Sequence, residues 1–132
     1  MVESGEHAQM WGFPTKVLQL SWDATGRWLA TGGGSGVVLW DCSGRGPMGR
    51  QPEILECHVN KITTLAYQPE GEYLVSTDAD GLLCVWEPSK HKDLIGGKSL
   101  TAAASCLSWS DSGKHIAVGQ ADGIVVVFSA PR

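Results

Sequence analysis

Several stretches of this sequence bring together residue types that could do chemistry. In "IGGKSLTAAAS", Gly97, Lys98 and Ser99 read like the end of a phosphate-binding loop. The first glycine of such a loop belongs at position 92, where Lys92 stands, so a surface strand is the better reading. "DADG", residues 78–81, offers calcium-type oxygens but lacks the third ligand position and the distal Glu. Cys57 and His58 pair a thiol with an imidazole, yet adjacent residues of a strand point to opposite faces and cannot share one metal. "TGGGSG", residues 31–36, is followed by "VVLW", a strand, so no helix N-terminus is there to hold an anion. His7, His91 and His115 have no identifiable partners, and no G-x-S-x-G nucleophile turn occurs. No catalytic, cofactor or metal site is therefore expected, and the chain reads as non-enzymatic.

The elements behind these stretches are bounded by composition. With 132 residues the chain has room for one core, and its formal net charge of −4 offers nothing to a phosphate backbone or an anionic membrane. The longest apolar runs, such as "GIVVVF", are too short to cross a bilayer, and "MVESGEHAQ" has two Glu where a signal peptide needs an apolar block. An intracellular location, cytoplasmic or nuclear, follows as the expectation. Cys42, Cys57, Cys84 and Cys106 form no C-x-x-C pair, and reduced thiols in packed strands are expected. The 17 Gly and 6 Trp against 2 Phe and 2 Tyr suggest many turns between short strands anchored by large rings.

Those rings repeat. "VLQLSWDATGRWLATGGGSGVVLWD" from Val17, "ITTLAYQPEGEYLVSTDADGLLCVWE" from Ile62 and "ASCLSWSDSGKHIAVGQADGIVVVFS" from Ala104 agree column by column. Trp22, Tyr67 and Trp109 correspond, at intervals of 45 and 42 residues. Gly26, Gly71 and Gly113 follow, then Leu29, Leu74 and Ile116, then Gly36, Gly81 and Gly123, and Trp40, Trp86 and Phe128 close the units. A period of about 40–45 residues is that of a four-stranded propeller blade. Alternation places an inner strand a at "VLQLSW", "ITTLAY" and "ASCLSW". Strand b lies at "RWLATG", "EYLVST" and "KHIAVG", and strand c at "VVLWD", "LLCVWE" and "IVVVFS". "PEILECH", residues 52–58, and "GKSLTA", residues 97–102, remain for outer strands d.

With Trp40 followed by Asp41 and Trp86 by Glu87, the units closely resemble the WD-repeat family of β-propellers over about residues 16–129. The resemblance implies an all-β fold in which the strands of each blade run a to d from axis to rim. It also implies a polar tetrad in the best-formed blades: a His before strand a, a Ser or Thr in b, an Asp in the b–c turn and the Trp of c. His58, Ser76, Asp80 and Trp86 fill those positions in the middle unit. The first unit departs, with Phe13 in the His column and Gly34 or Ser35 in the Asp column. The third keeps only Asp122, with Leu100, Val118 and Phe128 elsewhere.

Three blades cannot close a ring that needs about 4–8. The expected fold is therefore a partial β-propeller of three blades of antiparallel strands, resembling the C-terminal blades of a larger ring. Residues 1–15 read as an orphan outer strand and linker, 16–58 as the first blade, 59–102 as the second, and 103–132 as a third lacking its outer strand. The expected function is a protein–protein interaction scaffold. Its partners would be a protein or peptide, together with the remaining blades of a ring or further copies of the chain, and neither nucleic acid nor membrane. The alternatives are a truncated product without independent function and a propeller holding a small ligand in its channel. Loops before strand a and between b and c should share one face, presenting Trp11, Phe13, Asn60, Lys61, Asp78 and Gln120.

Overall fold

The structure is a computed structural model that describes residues 17, 19–32, 34–44, 46, 51–88 and 92–131. Among them eleven β-strands form three antiparallel sheets, with no α-helix. The first sheet holds β1 (Gln19–Trp22), β2 (Trp28–Gly32), β3 (Gly36–Asp41) and β4 (Glu53–Glu56), in that order. The second repeats the plan with β5 (Ile62–Tyr67), β6 (Leu74–Asp78), β7 (Leu82–Glu87) and β8 (Lys92–Ser99). The third holds β9 (Ala104–Trp109), β10 (His115–Gln120) and β11 (Val125–Ser129), with β10 in the middle. This is a partial propeller whose ring is not closed.

Register explains why the sequence columns repeat. Trp22 pairs with Leu29 and Leu29 with Trp40 across the first sheet. Tyr67, Leu74 and Trp86 make the same row in the second, and Trp109, Ile116 and Phe128 in the third. Each sheet carries one bulky row at one height, and a one-residue slip would turn that row to the opposite face.

The core lies between sheets. Val37 and Leu39 of β3 pack with Ile62 and Leu65 of β5 in one buried cluster. Val75 and Leu83 of the second sheet pack with Ala104, Ile116 and Val118 of the third in another. β1, β5 and β9 lie side by side as the inner strands. Two strands differ from the sequence reading. The outer strand of the second sheet spans Lys92–Ser99 rather than 97–102, so Gly97, Lys98 and Ser99 sit in a strand and cannot cradle a phosphate at a helix start. β6 extends one residue past Thr77 to Asp78, which pairs with Ile62, and this moves a functional side chain. Among the described residues no helix is long and apolar enough to cross a membrane. Residues 1–15, including the expected orphan strand, lie outside the described residues.

One turn between strands b and c requires glycine. Gly81 has φ +86°, and a Cβ there would stand 3.2 Å from the Leu100 carbonyl oxygen and 3.3 Å from that of Ala102. The left-handed backbone alone disfavours an L side chain by about 1–2 kcal/mol. Gly96 in β8 has open space around it and an ordinary φ. Gly81→Ala should therefore lower stability by about 1–3 kcal/mol, whereas Gly96→Ala should leave it equal or slightly raised. Urea melts of the two variants measure this directly.

Candidate functional site

In the second sheet four polar side chains from separate segments meet in the interior. Ser76 and Asp78 lie two apart on β6 and so share a face. Trp86 comes from β7, and His58 from the link between β4 and β5. His58 Nδ1 is 2.7 Å from Asp78 Oδ2, and His58 Nε2 is 2.7 Å from Ser76 Oγ. Trp86 Nε1 donates to Ser76 Oγ at 2.8 Å. An indole N–H can only donate and a carboxylate can only accept, which for a neutral imidazole sets the direction of the whole chain. Trp86 donates to Ser76, Ser76 to His58 Nε2, and His58 Nδ1–H to Asp78. Asp78 Oδ1 also accepts from the backbone N–H groups of Asp80, at 2.8 Å, and Leu82, at 3.1 Å.

The carboxylate that meets His58 is thus Asp78, not Asp80. Alternation decides it: two residues beyond Ser76 the side chain returns to the same face, while Asp80 is already in the turn and exposed. There Asp80 Oδ1 accepts from Asn60 Nδ2 at 3.2 Å. Asp78 is accordingly no part of an exposed face, since it is buried. Gln120, expected beside it on that face, occupies the same column of the third sheet and is buried too. Its Oε1 accepts from the Thr101 N–H at 3.0 Å and the Thr101 hydroxyl at 3.2 Å. Asp122 lies in the turn, accepting from Thr101 Oγ1 at 2.6 Å and from the Ile124 N–H at 3.1 Å. Asn60 and Lys61 are exposed, and Trp11 and Phe13 lie outside the described residues. The first sheet keeps one link of the chain: Trp40 Nε1 donates to Thr31 Oγ1 at 3.1 Å. That pair, like Asp78, could have been found by asking which residues share a strand face with the Trp.

Ser76, His58 and Asp78 are connected as in a hydrolytic triad, with Oγ on Nε2 and Nδ1 on the carboxylate. Here Ser76 is completely buried and its Oγ already accepts the Trp86 indole N–H. His58 is buried as well, so no substrate can reach either the serine or its base, and both ring nitrogens are already held by Ser76 and Asp78 rather than by a metal. Among the described residues no group of three His, Cys, Asp or Glu could hold a metal ion.

The sequence profile described as "WD domain, G-beta repeat" matches residues 8–41, 49–87 and 95–129. The chain belongs to this WD40 family. Its relatives include the periodic tryptophan protein 2 homolog of Caenorhabditis elegans, 26% identical over 121 residues, which cover 89% of this chain and 13% of that protein. COMPASS component SWD1 of Saccharomyces cerevisiae is 25% identical over 121 residues, 88% of this chain and 28% of its own length. The tRNA (guanine-N(7)-)-methyltransferase non-catalytic subunit wdr4 of Xenopus laevis is 32% identical over 73 residues, 55% of this chain and 18% of its own. The chain thus matches less than a third of the length of each.

The Trp-Asp pair of the first WD40 repeat has its own role at the surface. Arg27 Nε is 3.1 Å from Asp41 Oδ1 and its Nη2 is 3.0 Å from Oδ2, and Ser43 donates to Oδ1 from both its N–H and its hydroxyl. The Arg27 hydrogen bonds, with those of Ser43, hold the Asp41 carboxyl well below the ordinary carboxylate range. A depressed pKa stabilises the fold above the unfolded value of about 3.9, and that contribution is lost as pH falls through the folded one.

Two outcomes follow. Asp78→Ala strands the buried His58 Nδ1–H and removes the acceptor of two backbone N–H groups in the turn, and should cost about 3 kcal/mol or more, against under about 1 kcal/mol for Asp80→Ala. Urea midpoints separate the two, and equal losses would disprove the assignment of Asp78. In Arg27→Ala the Asp41 titration, followed by carboxyl NMR shifts, should move up toward the ordinary range. The accompanying stability loss should be full at neutral pH and shrink on acidification.

Proposed function

We propose that the chain is a non-catalytic interaction scaffold: a slice of a larger propeller whose two open sheet faces each receive another blade, and whose loop-bearing edge contacts a protein or peptide. The supporting observation is a set of side chains exposed at the ends of the array whose column mates are buried inside it. Leu20 and Trp22 of β1 are 65% and 50% exposed, while Leu65, in the column of Leu20, is 5% exposed. Trp109, in the column of Trp22, packs against the second sheet and donates its indole N–H to the Ala66 carbonyl at 3.2 Å. At the other end Val125 and Val127 are 68% and 59% exposed, while their counterparts in the second sheet, Leu83 and Val85, pack against the third. The two ends are complementary halves of the interface that already occurs twice within the chain.

The loop-bearing edge supports the second half of the reading. Asn60 and Lys61 before β5, Asp80 after β6, and Thr101 with Asp122 on the third sheet stand together there, braced by the Asn60–Asp80 and Thr101–Asp122 hydrogen bonds. Loops braced on a rigid sheet scaffold are where recognition side chains collect. Two of the relatives, a component of one assembly and a non-catalytic subunit of another, favour the same reading. The buried and fully engaged Ser76–His58–Asp78 set argues against hydrolysis. A net charge of −4 argues against nucleic acid and anionic membranes as partners, and an intracellular site of action fits the free thiols.

A second copy of the chain is the simplest blade with which to test the open faces. In sedimentation velocity the chain should associate beyond its 14.1 kDa monomer as concentration rises. Trp22→Asp and Val127→Asp should each weaken that association while keeping a cooperative melt. Because the interface joins unlike faces, mixing the two variants should restore one good contact and produce a heterodimer. A monomer independent of concentration would overturn the proposal.

A further inference from the structure

Cys57 and Cys84 take no part in the hydrogen-bonded set of the second sheet. Cys57 follows β4 and precedes His58, and Cys84 lies in the middle of β7. Their sulfurs are 2.8 Å apart although both cysteines are free. A disulfide bond is about 2.05 Å long, so bonding requires the sulfurs to approach by less than 1 Å. Cys84 is completely buried, beside Leu74 and Trp86 in the first core cluster, whereas Cys57 is partly exposed at the edge of that cluster. Burial also pushes the Cys84 thiol up, so it is poorly suited to react first with a dissolved oxidant.

We propose that Cys57 and Cys84 are a peroxide-sensitive thiol pair that closes into a reversible intramolecular disulfide. The Cys57 thiolate attacks one oxygen of a hydroperoxide, the O–O bond breaks, and hydroxide or alkoxide leaves, giving a sulfenic acid at Cys57. The Cys84 sulfur then attacks the Cys57 sulfur, the S–O bond breaks, and the thiol proton departs with the hydroxyl as water. In sum two thiols lose two electrons and two protons, the peroxide is reduced, and a dithiol reductant reverses the change. The bridge would close a loop containing β5 and β6 and tie the link after the first sheet to β7 of the second. It would also anchor the residue next to His58, so the oxidised chain holds the His58–Asp78–Ser76 contacts more firmly than the reduced one. The two sheets are thereby joined covalently at a point where only packing and hydrogen bonds join them otherwise.

Stepwise addition of hydrogen peroxide to the full chain, followed by thiol titration under denaturing conditions, tests this. The thiol count should fall from four to two, with a proteolytic fragment joining the Cys57 and Cys84 peptides and no increase in chain mass on a non-reducing gel. The unfolding constant in urea should fall on the order of a hundredfold and return with dithiothreitol. Cys57→Ser should abolish both changes, while Cys42→Ser combined with Cys106→Ser should leave them intact. Cys57→Ser is the deciding variant because its side chain is partly exposed, so it stays informative even where Cys84→Ser fails to fold. Retention of all thiols, a bridge using Cys42 or Cys106, or an unmoved urea midpoint in the bridged chain would overturn the proposal.

Discussion

The chain of hydrogen bonds from Trp86 through Ser76 and His58 to Asp78 is the constraint on which the second sheet depends. Each member is buried, and a buried polar group left without a partner costs about 1–3 kcal/mol, so the four must be placed together or not at all. They come from the link between the first two sheets, from β6 and from β7. Satisfying them fixes the link against its sheet. Asp78 extends the constraint into the following turn by accepting from the N–H groups of Asp80 and Leu82, so one carboxylate sets both the histidine and the path of the chain into β7.

The other two sheets show what remains when the set is incomplete. In the first, Trp40 still finds Thr31, and the pair is self-sufficient because a hydroxyl can both accept from the indole and donate to the Val38 carbonyl. In the third, Val118 and Phe128 stand in the columns of Ser76 and Trp86, and Leu100 stands in that of His58. Gln120 in the Asp78 column then has no imidazole to meet. Its Oε1 turns to the Thr101 and Ala102 N–H groups, and its buried Nε2 has no hydrogen-bond partner among the described residues. The third sheet therefore has no network of its own and is held to the second by apolar packing and by the Trp109–Ala66 and Gln68–Gly113 hydrogen bonds. In a row of repeats stability is shared between units and the interfaces joining them, and the second sheet owns both interfaces as well as the only complete network among the described residues.

The repeat was legible because register forces it. Trp, Leu and Trp columns that must lie in one row across each sheet recur at a fixed spacing, so the three units and most strands could be placed from the residues alone. The tetrad's aspartate was misplaced by two residues for a physical reason. "STDADG" offers two carboxylates near one turn, and composition does not say where the strand stops. The strand continues to Asp78 because Ile62 pairs with it, a contact between positions 16 residues apart that local pattern does not carry. The sulfur contact between Cys57 and Cys84 was hidden in the same way, since it joins different strands and no spacing motif marks it.

Burial, rather than residue type, decides what the Ser76–His58–Asp78 set can do. A nucleophilic serine needs an open Oγ, a base able to accept its proton and room for a tetrahedral carbon beside them. In this chain the oxygen already receives an indole N–H, and neither solvent nor a substrate reaches the serine or the imidazole beside it. The same connectivity that would activate a hydroxyl at a surface cleft here consumes every donor and acceptor internally. What the network leaves to the surface is a rigid sheet edge carrying Asn60, Lys61 and Asp80, whose positions are fixed from behind by the buried chain. Rigidity of that kind reduces the ordering cost of any association made at that edge, because the loops need not be fixed at the moment of contact.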